Sequence, residues 1–78
     1  MAMIDISKMV RVEKQRVSIH SNARATYSVF EDGGKRYFQI DTYGSIGRDM
    51  PEKISQTIQL NRQSAMKLIS LLADTFQD

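Results

Sequence analysis

Apolar and polar residues alternate along most of this chain, and near its end the period changes. In Ile54–Leu60 (ISQTIQL), Ile54, Gln56, Ile58 and Leu60 share one parity, with Ser55, Thr57 and Gln59 on the other. That is a strand with one apolar face. At Asn61 the period becomes 3.6. Asn61 is a favoured N-cap, because its side-chain oxygen can accept from backbone N–H groups of the first helical turn. The following residues contain no Gly or Pro, and Ala65, Leu68, Ile69, Leu72 and Phe76 fall on one helical face. The spacing predicts a strand that delivers the chain directly into a helix ending near Phe76.

That helix is too apolar for one contact. Ala65, Met66, Leu68, Ile69, Leu71, Leu72, Ala73 and Phe76 span roughly 220° of the wheel at 3.6 residues per turn. A helix lying on one sheet needs a stripe of only about 100°. The surplus predicts a second copy of the chain, paired through Met66, Leu68, Ile69, Leu71, Leu72 and Phe76.

Upstream, Ile4 and Ile6 alternate with Asp5 and Ser7, so residues 1–8 read as an arm or short edge strand ahead of one domain over 9–78. Met9 to His20 has a strand pattern with a slip. Val10 and Val12 share one parity, and Val17 and Ile19 the other. The switch at Glu13-Lys14-Gln15 predicts a bulge or sharp bend, and Ser21-Asn22-Ala23 predicts a turn. Ala25–Glu31 and Lys35–Tyr43 are two more strands, joined at Asp32-Gly33-Gly34, a strong hairpin signal. The two-residue loop is Asp32-Gly33 or Gly33-Gly34. Gly44–Glu52, punctuated by Gly44, Gly47 and Pro51, is a loop. The expectation is an α+β fold: a curved four-stranded antiparallel sheet followed by one C-terminal helix that covers one face, β-β-β-β-α.

Either hairpin loop sets odd residues of one strand beside even residues of the next. Ala25, Tyr27 and Val29 then join Phe38, Ile40 and Thr42 as the core face. The other face collects Arg16, Ser18 and His20; Arg24, Thr26, Ser28 and Phe30; Tyr37, Gln39, Asp41 and Tyr43; and Lys53, Ser55, Thr57 and Gln59. Aromatic rings can stack on unpaired bases at roughly 1–3 kcal/mol each, and cations and hydroxyls can contact phosphates. An ordinary solvated sheet face has a related composition.

Composition changes this picture in two ways. Seventy-eight residues without Cys leave no disulfide or thiolate zinc site to support a small core, which favours self-association. The net charge of +2 is unevenly spread: residues 1–30 hold five cations (Lys8, Arg11, Lys14, Arg16, Arg24) against Asp5 and Glu13. This supports a polyanionic partner mildly. No apolar run is long enough to cross a bilayer, so no membrane partner is expected. MAMIDISKM lacks the regions of a signal peptide. The expected compartment is cytoplasmic, nucleoid-associated if the source is bacterial.

Little suggests catalysis. His20 is the lone histidine, so a His/Cys metal site cannot be built within one chain. No G-x-S-x-G elbow occurs. Gly44-Ser45-Ile46-Gly47-Arg48 lacks the Lys-Ser/Thr of a phosphate-binding loop. No enzyme activity, cofactor or metal is expected.

The run Phe38-Gln39-Ile40-Asp41-Thr42-Tyr43, a polar loop, and Thr57-Ile58-Gln59-Leu60-Asn61 entering an amphipathic helix resembles the positive-cofactor-four-like family of transcriptional coactivators and small bacterial relatives. The resemblance covers about residues 10–76 as a pattern; Whirly and Pur-type domains share related features. It implies a curved four-stranded sheet, dimerisation through the helices, and single-stranded DNA across the sheet, in transcription, replication or repair. This chain departs from the family in three places. Asp41 fills a basic mid-strand position, Gln56-Thr57 replaces Lys-Gly, and the loop is longer.

The leading expectation is a homodimer that binds single-stranded DNA or RNA. Phe30, Tyr37 and Tyr43 would stack on bases, Gln39 would lie on the same face, and Arg16, Arg24, Lys35, Arg36, Arg48 and Lys53 would meet phosphates. The alternatives are a small protein-interaction module, which Asp41 and the low net charge suggest, and a β-ribbon reader of duplex DNA.

Overall fold

The structure is a computed structural model that describes residues 1–44 and 53–77. In chain order it contains β1 (Ala2–Met3), a 3-10 turn (Ile6–Lys8), β2 (Ala25–Asp32), β3 (Lys35–Tyr43), β4 (Ile54–Leu60) and α1 (Arg62–Thr75). The four strands form one sheet in the order β1-β4-β3-β2. β2 pairs antiparallel with β3, and β3 with β4, while β1 runs parallel to β4. The sheet is therefore mixed.

Two expectations are corrected. The sheet is not wholly antiparallel, and its remaining strand is Ala2–Met3, not a strand within Met9–His20. Residues 9–24 carry no strand and are exposed throughout, with Ile19 fully so. Alternation supplies an apolar side to a segment but no hydrogen-bonding neighbour, and within this chain the segment has none among the described strands. One local feature is in place: the backbone bends at Gln15, where the parity switches. The turn expected at Ser21-Asn22-Ala23 is absent, and the chain enters β2 without one.

The N-terminal strand is held by the helix start. Asn61 caps α1, its side-chain oxygen accepting from the Ser64 backbone N–H at 2.9 Å. Ser64 is fully buried, and its hydroxyl donates to the Ile4 carbonyl at 2.8 Å. The Ile4 N–H donates in turn to the Gln59 carbonyl at 3.0 Å. One serine thus joins the N-terminal segment to the strand-to-helix junction.

The β2–β3 hairpin turns at Gly33-Gly34, with Asp32 opposite Lys35. Both glycines have positive φ, 59° and 79°, as the tight hairpin turn requires. The register places Tyr27 against Ile40, Val29 against Phe38, Ile40 against Ile58, and Phe38 against Leu60. These residues form one apolar face, on which Tyr27 and Phe38 stack at 5.3 Å.

The expected cover of that face is missing. α1 meets the sheet near its first turns, where Ser64 is buried and Ala65 and Leu68 are half-buried. Met66, Ile69, Leu71, Leu72 and Phe76 are exposed, as are Tyr27, Val29 and Ile58 on the sheet. Leu60, 6% exposed, is the one buried apolar residue among those described. A chain of 8.9 kDa folded alone would expose about 4,800 Å²; this one exposes 7398 Å². The excess is about 2,600 Å². Setting aside the surface that residues 45–52 and 78 would carry in an unfolded chain still leaves about 1,500 Å². A stable dimer interface covers about 800 Å² per partner.

Candidate nucleic-acid interface

Residues of the opposite parity build the polar face. Even positions of β2 lie beside odd positions of β3: Thr26 opposite Asp41, Ser28 opposite Gln39, Phe30 opposite Tyr37. β4 contributes Thr57 opposite Asp41 and Gln59 opposite Gln39. The two-residue turn fixes the β2–β3 register, and the alternation of the pleat carries it along that pair. On β4 the register shifts between Thr42 and Tyr43, so Tyr43 pairs with Ile54, and Ile54 departs from the parity expected for it with Gln56, Ile58 and Leu60.

Asp41 sits at the middle and is 8% exposed. The Thr57 hydroxyl donates to Asp41 Oδ1 at 2.6 Å. Gln39 Nε2 lies 3.1 Å from both Asp41 carboxylate oxygens. Gln59 Nε2 donates to Gln39 Oε1 at 2.8 Å. A chain of side-chain hydrogen bonds therefore crosses β3 and β4, and the carboxylate is engaged by neighbouring donors. No buried side-chain nitrogen or oxygen lacks a partner among the described residues.

Aromatic groups stand at both ends of this polar row. Phe30 and Tyr37 stack at 5.3 Å with 23° between their planes, beside the hairpin. At the other end the Arg24 guanidinium carbon lies 4.0 Å from the Tyr43 ring centroid, a cation–π contact. The Tyr43 hydroxyl shares a 3.1 Å hydrogen bond with Thr26 Oγ1, and the Tyr43 backbone N–H donates to the Arg24 carbonyl. From Tyr37 to Tyr43 the row covers seven residues of β3, six steps or about 20 Å of strand.

Of the residues expected to form the site, Arg24, Phe30, Tyr37, Gln39 and Tyr43 come together on this face. Lys35 has the same parity, at the hairpin end, and Lys53 is exposed immediately before β4. Two positions are corrected. Arg16 is off the sheet, in the exposed 9–24 segment. Arg36 shares the parity of Phe38 on the apolar face and pairs with Glu31 at 3.0 Å. Arg48 and most of the Gly44–Glu52 loop lie outside the described residues. Thr26, Asp41, Thr57 and Gln59 were not among the expected site residues. Parity alone puts them on the face, but pairing Thr57 with Asp41 needs the β3–β4 register, which a long connection leaves open.

No described helix is long and apolar enough to cross a membrane. No protein-family model, curated protein or solved structure matches this chain.

Proposed function

We propose that this chain is a homodimeric single-stranded nucleic-acid-binding protein that acts in transcription, replication or repair and lays the strand across the polar face of its sheet. One observation carries the reading: a row of amides and hydroxyls bounded at one end by Phe30 and Tyr37 and at the other by Arg24 over Tyr43. Rings offer stacking that tolerates any base, amides and hydroxyls reach base edges and sugars, and Arg24, Lys35 and Lys53 supply cations. The resemblance of the 38–61 run to the positive-cofactor-four-like family supports the same reading. Thr57 and Gln39 donate to Asp41 and hold its carboxylate in the row, but it keeps its negative charge, so phosphates are modestly repelled at this position. The second copy pairs through the exposed apolar side of α1, at Met66, Leu68, Ile69, Leu71, Leu72 and Phe76.

Fluorescence anisotropy of a labelled single-stranded oligonucleotide at low salt tests this. Binding should weaken as salt rises, because each phosphate contact releases counterions, and unlabelled single strand should compete better than duplex. No binding at tens of micromolar protein contradicts the proposal.

The exposed apolar face favours a second reading, a protein-interaction module that docks a different chain there. Recovery of a stoichiometric protein partner from nuclease-treated lysate by a chain that light scattering finds monomeric would support it. A self-associated chain with no such partner would count against it.

A further inference from the structure

We propose that residues 16–23 of one copy add as an antiparallel strand to the open edge of β2 in a second copy, and reciprocally, so that the two sheets join into one. The exchange does not depend on nucleic-acid binding or on pairing of the helices.

β2 is the last strand of the sheet on its side. The Arg24 carbonyl accepts from the Tyr43 N–H, and Asp32 faces Lys35 across the turn, so the even residues of β2 bond to β3. Antiparallel alternation then directs the N–H and C=O groups of Ala25, Tyr27, Val29 and Glu31 outward. The opposite edge, β1, is only two residues long. β2 is eight residues long, with no Pro, Lys or Gly. Natural sheets protect edges with short strands, bulges, Pro or charged side chains; β2 carries charge only at its hairpin end, Glu31 and Asp32, and its Ala25–Phe30 stretch has none of these.

The segment before β2 has the form of the missing neighbour. Residues 16–24 run with no turn or bend. Val17 and Ile19 have the parity of Ala25, Tyr27 and Val29, so their apolar side continues the apolar face of β2. Val17 is 76% exposed, and Ile19 is fully exposed. Without a turn at 21–23 the segment leads away from its own β2, and a second copy can reach that edge where the same chain does not. Pairing about a two-fold axis is self-complementary. With Ala23 on the axis, Val17 faces Val29 and Ile19 faces Tyr27. Asn22 then faces Arg24 at a position without ladder bonds, so the Arg24 carbonyl keeps its bond to Tyr43. The surplus surface of at least about 1,500 Å² per chain is enough for a stable interface between copies.

Cross-linking tests both the exchange and its register, because the chain has no native cysteine. In the proposed register the Cα atoms of paired residues are about 5.5 Å apart, inside the disulfide range. Ala23→Cys alone, under mild oxidation, should give a covalent dimer on a non-reducing gel, as should Val17→Cys/Val29→Cys. Ile19→Cys/Val29→Cys, offset by one pleat repeat to about 9 Å, should cross-link poorly. In the unmodified protein, hydrogen exchange should show the Tyr27 and Val29 amides protected at high concentration and unprotected on dilution. An Ala23→Cys chain that stays monomeric, a Val17–Val29 disulfide closed within one chain, or Tyr27 and Val29 amides unprotected at every concentration would overturn the exchange. Failure of these cross-links with oligonucleotide binding intact overturns the exchange alone. Loss of binding with the cross-links intact overturns the polar-face reading alone.

Discussion

Replacing Asp41 with asparagine should move stability and binding in opposite directions. The carboxylate accepts from Thr57 at 2.6 Å and lies 3.1 Å from Gln39 Nε2 through both oxygens. Asparagine keeps one acceptor for Thr57 but turns an amide nitrogen toward Gln39, donor against donor. A hydrogen bond to a charged group contributes about 1.5–3 kcal/mol. Thr57 and Gln39 are half-buried and can recruit water, so the loss should fall near the lower end, about 1.5 kcal/mol. For a domain of this size that lowers the melting temperature by about 10 °C at fixed protein concentration. Binding should improve, because a unit charge about 6 Å from a phosphate in water-like surroundings repels it by about 0.7 kcal/mol. The expected gain is about threefold in affinity at low salt. Circular dichroism melts give the first quantity, and anisotropy at 10 °C, where the variant is folded, gives the second. An unchanged melting temperature would mean that the carboxylate does not anchor the row. Unchanged or weaker binding would mean that nucleic acid does not cross this face.

Three other substitutions probe separate parts of the account. Ser64→Ala leaves the Ile4 carbonyl without its donor and should cost about 1–2 kcal/mol in chemical denaturation; no loss would detach the N-terminal strand from the helix start. Tyr37→Ala should weaken oligonucleotide binding by about 1–3 kcal/mol, whereas Arg36→Ala, on the apolar face and paired with Glu31, should have a much smaller effect; equal losses would contradict the assignment of faces. Leu71→Asp should weaken self-association, read by light scattering on serial dilution, if the exposed side of α1 pairs with a second copy, and an unchanged dissociation midpoint would exclude that contact.

The hairpin and its two faces were legible in the sequence because each rests on a local rule. A two-residue glycine turn sets the register, and a period of two sorts Tyr27, Val29, Phe38 and Ile40 from Ser28, Phe30, Tyr37 and Gln39. The helix start at Asn61 was legible for the same reason, since one side chain and a change of period define it. Ala2–Met3 is too short to show any period, and its parallel pairing depends on Ser64, some sixty residues away. Met9–His20 misled in the opposite way, because its alternation is genuine but no described strand of the same chain pairs with it. The polar row was only partly visible. Asp41 read as an exposed acid in a basic position until the β3–β4 register brought Thr57 to it.

The central claim is that the polar face, not the apolar one, receives single-stranded nucleic acid, and an NMR titration of the ¹⁵N-labelled protein with a short single-stranded oligonucleotide addresses it most directly. The account predicts shifts in the side-chain amides of Gln39 and Gln59 and in the backbone amides of Ser28, Tyr37 and Thr57, with Val29, Phe38 and Ile58 little changed beyond neighbour effects. Shifts confined to Val29, Phe38, Ile58 and α1, or no shifts at saturating oligonucleotide, would contradict it.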